Sequence, residues 1–266
     1  MSWALFKATT KANWILTIIF SAIVLIYVTT SASMFNPESA ETMEAMLDLL
    51  PDGMIRAMGF VNLGTDLTAY LSNYLYGFIM IIFPMAYTII MANRLIAKHV
   101  DSGSMAYLLT TPNTRVRIAL TQAVYLVISL AVIVAISVIV AILFSESMFP
   151  GMLDIAAYLA LNVVTYLAMF VVAGISFLSS CSFGQTRYSL TVGAAIPVLF
   201  FILKMLSEIS DETKFLRFFT VLSFINIDEI LSGSGYTLIA TAVLLPLGVV
   251  IFAAAIWTFH RRSLAL

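Results

Sequence analysis

Six apolar runs, each about twenty residues or longer, leave few folds open to this chain. They occupy about 14–33, 73–93, 118–144, 155–180, 188–206 and 236–258. At 1.5 Å per residue, about twenty helical residues cross the roughly 30 Å hydrocarbon core of a bilayer. A helix pairs its backbone N–H and C=O groups internally, which lipid cannot do for it. The runs hold almost no charge, and a Lys, Arg or Asp at the centre of a span costs roughly 2.5–3.5 kcal/mol. One such run could be a buried core helix of a soluble protein. Six in succession, in a chain that is 62% hydrophobic and 10% charged, predict an all-α polytopic membrane protein, with one transmembrane domain over 1–266.

Basic residues orient it. With the amino terminus inside, the inner loops and ends hold Lys7, Lys11, Arg94, Lys98, Arg115, Arg117, Arg187, Arg261 and Arg262, nine of thirteen. Lys and Arg favour the cytoplasmic side, so both termini are expected to be cytoplasmic and the chain multi-pass in the cell membrane. Lys7, Lys11, the first run and Ser31-Ala32-Ser33 imitate a cleavable signal peptide. The run exceeds the roughly 7–15-residue core of such peptides, so a retained span is expected. Cys181 is the only cysteine, which rules out an internal disulfide and reads as a small buried residue.

The loops carry their own signals. Trp3 and Phe6 share a helix face beside Lys7 and Lys11, a pattern that predicts a short interfacial helix before the first span. Residues 34–72 carry a net charge of −5, with Met43, Met46, Leu47 and Leu50 at helical spacing before Pro51-Asp52-Gly53. They predict an amphipathic outer helix folded on the surface. Residues 207–235 mix Phe215, Leu216, Phe218, Phe219, Leu222 and Phe224 with Arg217, Asn226, Asp228 and Glu229. A crossing there would put the carboxyl-terminal basic residues outside, so short helices dipping into the outer leaflet are expected instead.

The stretch HVDSGSMAYLLTTPNTRVR, residues 99–117, lies on the expected inner side between spans two and three. Ser102-Gly103-Ser104 predicts a turn with Ser104 as helix N-cap. Met105, Leu108 and Leu109 fall at i, i+3 and i+4, one apolar stripe, and Pro112 ends a helix of about two turns. So short a helix is unstable alone; a groove on a partner protein is the natural cover for its stripe.

The passage Asp101-x-Gly103-Ser104-Met105-x-x-Leu108-Leu109-x-x-Pro112-x-x-Arg115 resembles the acid-x-G-T-L/M-x-x-L-L-x-x-P-x-x-R passage of ABC-2 type transporter permeases. Asp101 stands where Glu is common, and Ser104 where Thr is common. The resemblance implies six spans, a cytoplasmic coupling helix between spans two and three, and re-entrant outer helices between spans five and six. It further implies an ABC ATPase subunit as partner, with ATP and Mg bound there and no cofactor in this chain. A second permease copy or a related permease would complete the complex. Met105, Leu108 and Leu109 would fill the ATPase groove, Asp101 and Arg115 would flank it, and Tyr107 would reach the partner or headgroups.

Catalytic patterns are missing. Leu231-Ser232-Gly233-Ser234-Gly235 imitates the LSGGQ signature of ABC ATPases, but no G-x-x-x-x-G-K-[ST] phosphate loop accompanies it. It reads as a turn, and this chain is not expected to be an enzyme by itself. His99 and His260, the only histidines, sit at expected inner ends, away from Ser176 in span four. No zinc-ligand cluster and no basic patch for nucleic acid stands out. Inside the spans, Asn162, Thr165 and Tyr166 share one face, and Lys204 lies near the outer end of span five with Glu208 four residues on. These four are candidates for a substrate path, although polar residues in bundles also bond neighbouring helices.

The expected function is the permease subunit of an ATP-driven exporter of an amphipathic substrate: a drug, peptide or lipid. A gradient-driven carrier or channel is the alternative, and it would want a charge or broken helices at mid-membrane. A non-transporting assembly or sensor protein is a third reading.

Overall fold

The computed structural model describes residues 1–36, 66–110 and 114–262, and every regular element among them is helical. The first run belongs to α1 (Trp3–Met34). No Gly or Pro interrupts residues 3–34, so the helix has no reason to break where the interfacial stretch should end. The separate amino-terminal helix expected from Trp3 and Phe6 is instead the opening of α1. The two rings do stack, with centroids 5.6 Å apart, but Phe6 then meets Tyr125 edge-on at 5.8 Å. Thr9 Oγ1 donates to Gln122 Oε1 at 3.3 Å. Polar side chains thus tie this stretch to a neighbouring span.

The second path starts with α2 (Leu67–Tyr74), whose Asp66 side chain caps it by accepting from Ala69 N–H at 3.2 Å. This cap sets the start six residues ahead of the apolar run. A π-helical turn (Leu75–Ile79) leads into α3 (Met80–Leu95). Two short helices follow, α4 (Ala97–Asp101) and α5 (Met105–Leu109). The long helices are α6 (Arg115–Met148), capped by Thr114, and α7 (Ile155–Ser182), capped by Asp154. Next comes α8 (Thr186–Ile209). Two 3-10 segments, Asp211–Phe219 and Val221–Phe224, and the short α9 (Ile227–Leu231) precede α10 (Tyr236–Arg261). Six of these paths are long and apolar enough to cross a membrane, so the chain is a multi-pass, all-α membrane protein. The expected outer helix around Met43–Leu50, and Pro112, lie outside the described residues.

α7 is the central helix: it packs most extensively on α10 and also meets α8, α3 and α6. Small residues let the helices close in. A β-carbon at Gly174 would come within 3.1 Å of Ile251 and 3.3 Å of Phe252. At Gly248 it would overlap the Phe170 ring. Hydrogen bonds then fix the register between helices. Tyr76 Oη donates to Asn162 Oδ1 at 2.6 Å, and Tyr166 Oη to the Val127 carbonyl at 3.3 Å. Ser176 and Ser179 hydroxyls donate to the Gly193 and Ser189 carbonyls of α8 at 2.9 and 2.8 Å.

Ser2, Arg262 and the 97–110 passage share one end of the bundle, the basic end. Ser2 N–H donates to Thr121 Oγ1 there at 2.9 Å. At the distal end, Asp154 N–H donates to Thr68 Oγ1 at 2.8 Å. Residues 207–235 leave and return at that same distal end, since Ser207 and Tyr236 line one cavity.

Candidate functional site

Two features stand out, one at each end. At the basic end, α4 and α5 are joined by a turn in which Gly103 takes φ 71°, a left-handed conformation that glycine adopts without a β-carbon penalty. Ser104 does not cap α5: its backbone is already helical and its side chain makes no cap bond. Its hydroxyl closes the turn instead, 2.9 Å from His99 Nδ1 and 2.9 Å from Ser102 Oγ. The helix is therefore a single turn rather than two.

The apolar stripe also turns the other way from the expectation. Met105 is fully buried in this chain's own core, and Leu108 and Leu109 are half-buried against it. Met105 accordingly has no surface with which to fill a partner's groove. The residue that projects is Tyr107, 79% exposed, flanked by exposed Asp101, Ser102 and Thr110. The stripe holds the short helix to the bundle and leaves its tyrosine face outward.

The polar residues expected to flank a partner are bonded within the chain. Asp101 Oδ2 accepts from the Thr186 N–H that opens α8, at 3.2 Å. Arg115 Nη1 donates to the Arg262 carbonyl at 2.7 Å. The Arg262 side chain in turn donates to the Cys181 carbonyl at the end of α7, at 3.2 Å. Ala97 N–H donates to Ser180 Oγ at 2.9 Å. α4 is thus fastened to the ends of α7 and α8, while Arg115 at the start of α6 joins the end of α10. Cationic Arg262 beyond the carboxyl end of α7 also suits the negative pole of that helix. Ser180 and Thr186 escaped the sequence reading, and Arg262 was read only as one of the inner basic residues.

At the distal end a cavity of about 750 Å³ opens between the α2–π-turn junction, the last turns of α8, the 3-10 segments and the start of α10. Lys204 lies in its wall, only 4% exposed. Its Nζ is 2.9 Å from Glu208 Oε1, so the pairing expected four residues on is present. An ammonium this deep needs such a partner, because a lone buried charge is strongly destabilising. Asn73, Arg217, Glu229 and Tyr236 also line the cavity. The contribution of Arg217 and Glu229 was hidden in the mixed composition of 207–235.

Asn162, Thr165 and Tyr166 are not in that lining. Asn162 and Tyr166 bond neighbouring elements as described, and the buried Thr165 hydroxyl has no hydrogen-bond partner among the described residues. Of the four candidates for a substrate path, Lys204 is the one that lines this cavity. No group of His, Cys, Asp or Glu suited to a metal ion occurs among the described residues.

A polytopic helical bundle with a bracing passage at one end and a charged cavity at the other has the layout of a membrane transport component. The family model described as ABC-2 family transporter protein matches residues 8–264, nearly the whole chain, and the protein belongs to that family. It is a transport permease, a component that is not itself catalytic, and its family implies association with an ABC ATPase. Comparison with curated proteins gives no match.

Proposed function

We propose that this chain is the membrane subunit of an ATP-driven exporter of an amphipathic substrate, with two permease copies and two ATPase subunits. ATP and Mg bind on the ATPases, the basic end faces the cytoplasm, and residues 207–235 form the outer, re-entrant part. The observation that carries the reading, beside the family, is the passage 97–110. It presents Tyr107 outward while bonding to the ends of α7 and α8. A force applied at Tyr107 reaches two spans through hydrogen bonds rather than through a loose loop. α8 then carries motion to the distal cavity, which it lines.

The test is copurification with a co-expressed ABC ATPase subunit, together with ATPase activity of the complex. Tyr107 is exposed, so Tyr107→Asp leaves the bundle intact while placing a charge in the contact. It is expected to lower both copurification and stimulated ATPase activity by about tenfold or more, the scale of a hot-spot residue. Leu108→Asp, at a half-buried position, should act in the same direction. Unchanged copurification and stimulation in Tyr107→Asp, with the chain still inserted, would reject the docking role.

A further inference from the structure

The distal cavity has a feature that the export reading does not use. Its wall carries three cations, Lys204, Lys214 and Arg217, and three anions, Glu208, Asp228 and Glu229. A ligand that was only anionic would meet the three carboxylates, and one that was only cationic would meet the three basic groups. A ligand bearing both charges is matched on both sides.

The walls also differ in depth. Lys204 is buried and held by Glu208, whose side chain is 34% exposed, so the carboxylate has room to move while the ammonium does not. Arg217 and Glu229 are exposed nearer the mouth. The Arg217 guanidinium lies 5.1 Å from the centre of the Phe218 ring. Phe218 itself lines the cavity and is 77% exposed. In the same 3-10 segment Phe215 and Phe219 are exposed as well, an apolar flank next to a lining residue. The polar cavity therefore opens beside an exposed apolar surface, at the end of the spans where headgroups lie. Its volume, about 750 Å³, is within the roughly 300–1,000 Å³ of small-molecule sites. The π-turn of residues 75–79 brings Gly77 into the lining, and such turns recur at functional sites.

From these observations we infer that the distal cavity binds the zwitterionic headgroup of a phospholipid, its phosphate toward Lys204 and Arg217 and its ammonium toward Glu208 and Glu229. The lipid's chains lie along the exposed flank of Phe215, Phe218 and Phe219. This names the substrate class of the export reading and rests on it for the transport role, while the binding itself needs no ATPase.

Titration calorimetry on the purified full-length chain in detergent tests it, with no ATPase and no nucleotide present. The probes are dihexanoyl phosphatidylethanolamine, dihexanoyl phosphatidylglycerol and free phosphoethanolamine. Saturable binding of the phosphatidylethanolamine is expected, about tenfold tighter than the phosphatidylglycerol, the scale of one charge-assisted contact. Free phosphoethanolamine is expected to bind more weakly than the lipid. The exposed positions Arg217→Ala and Glu229→Gln should each weaken the lipid by about tenfold without disturbing the fold. Lys204→Met, read alongside, probes the buried end. Equal binding of the two lipids overturns the zwitterion assignment. Phosphoethanolamine, or a zwitterionic dipeptide, binding as tightly as the lipid overturns the lipid source. Wild-type affinity in both Arg217→Ala and Glu229→Gln overturns the site. None of these outcomes bears on docking at Tyr107, whose own test uses copurification.

Discussion

Gly248→Ala inverts an ordinary expectation, and the inversion can be measured. In a helix interior, replacing Gly by Ala favours the helix by about 1 kcal/mol. At Gly248 the new methyl group would overlap two atoms of the Phe170 ring. That ring stacks on Phe252, centroids 5.1 Å apart, and Phe252 leans on Phe177 at 5.6 Å. Phe177 is fully buried, so the ring cannot retreat inward. It must rotate out of its stack, or α7 and α10 must separate along their most extensive contact. Overpacking of this kind costs about 1–3 kcal/mol, and a clash with two ring atoms belongs at the upper end. Net of the helix gain, a loss of about 1–2 kcal/mol is expected. At about 2–4 °C per kcal/mol for a chain near this size, Tm should fall by about 2–8 °C. The assay is thermal unfolding of the purified chain in detergent, followed by intrinsic fluorescence of its three tryptophans. In a Phe170→Ala background, itself less stable, the obstacle is gone and only the helix gain remains, so Gly248→Ala should there raise Tm. The two backgrounds give opposite signs. The same sign in both would refute the packing argument.

Three further outcomes follow from the interior and the basic end. Thr165→Val removes a buried hydroxyl that has no hydrogen-bond partner among the described residues and keeps the shape, so the same unfolding assay should show stability unchanged or raised by about 1 kcal/mol. Cys181 is fully buried, and a maleimide reagent should label it only after the protein is denatured; rapid labelling of the folded chain would contradict that burial. Arg262→Ala removes the donor to the Cys181 carbonyl, and hydrogen bonds from a charged group are worth about 1.5–3 kcal/mol. Its Tm should fall, and hydrogen exchange should rise at the end of α7 rather than at the distal cavity.

What this chain could become was settled by its composition along the chain. The six apolar runs determine six helices because lipid offers the backbone no partner, and each α-helix satisfies its own. The charge pattern marked the basic end, and the acid-x-Gly-Ser-Met spacing marked the passage at 101–115, since turn and stripe chemistry is local. The Lys204–Glu208 pair was equally legible, because i, i+4 spacing on a helix is itself a contact. Contacts between distant segments were not. Met105 looks the same in sequence whether its stripe faces a partner or its own bundle, and only packing decided that it is buried while Tyr107 projects. Asp101 and Arg115 found Thr186 and Arg262 across gaps that no periodicity records. Asn162 and Tyr166 were drawn into helix–helix bonds for the same reason. A helix specifies which residues share a face; which neighbour that face meets is decided when all the helices pack at once.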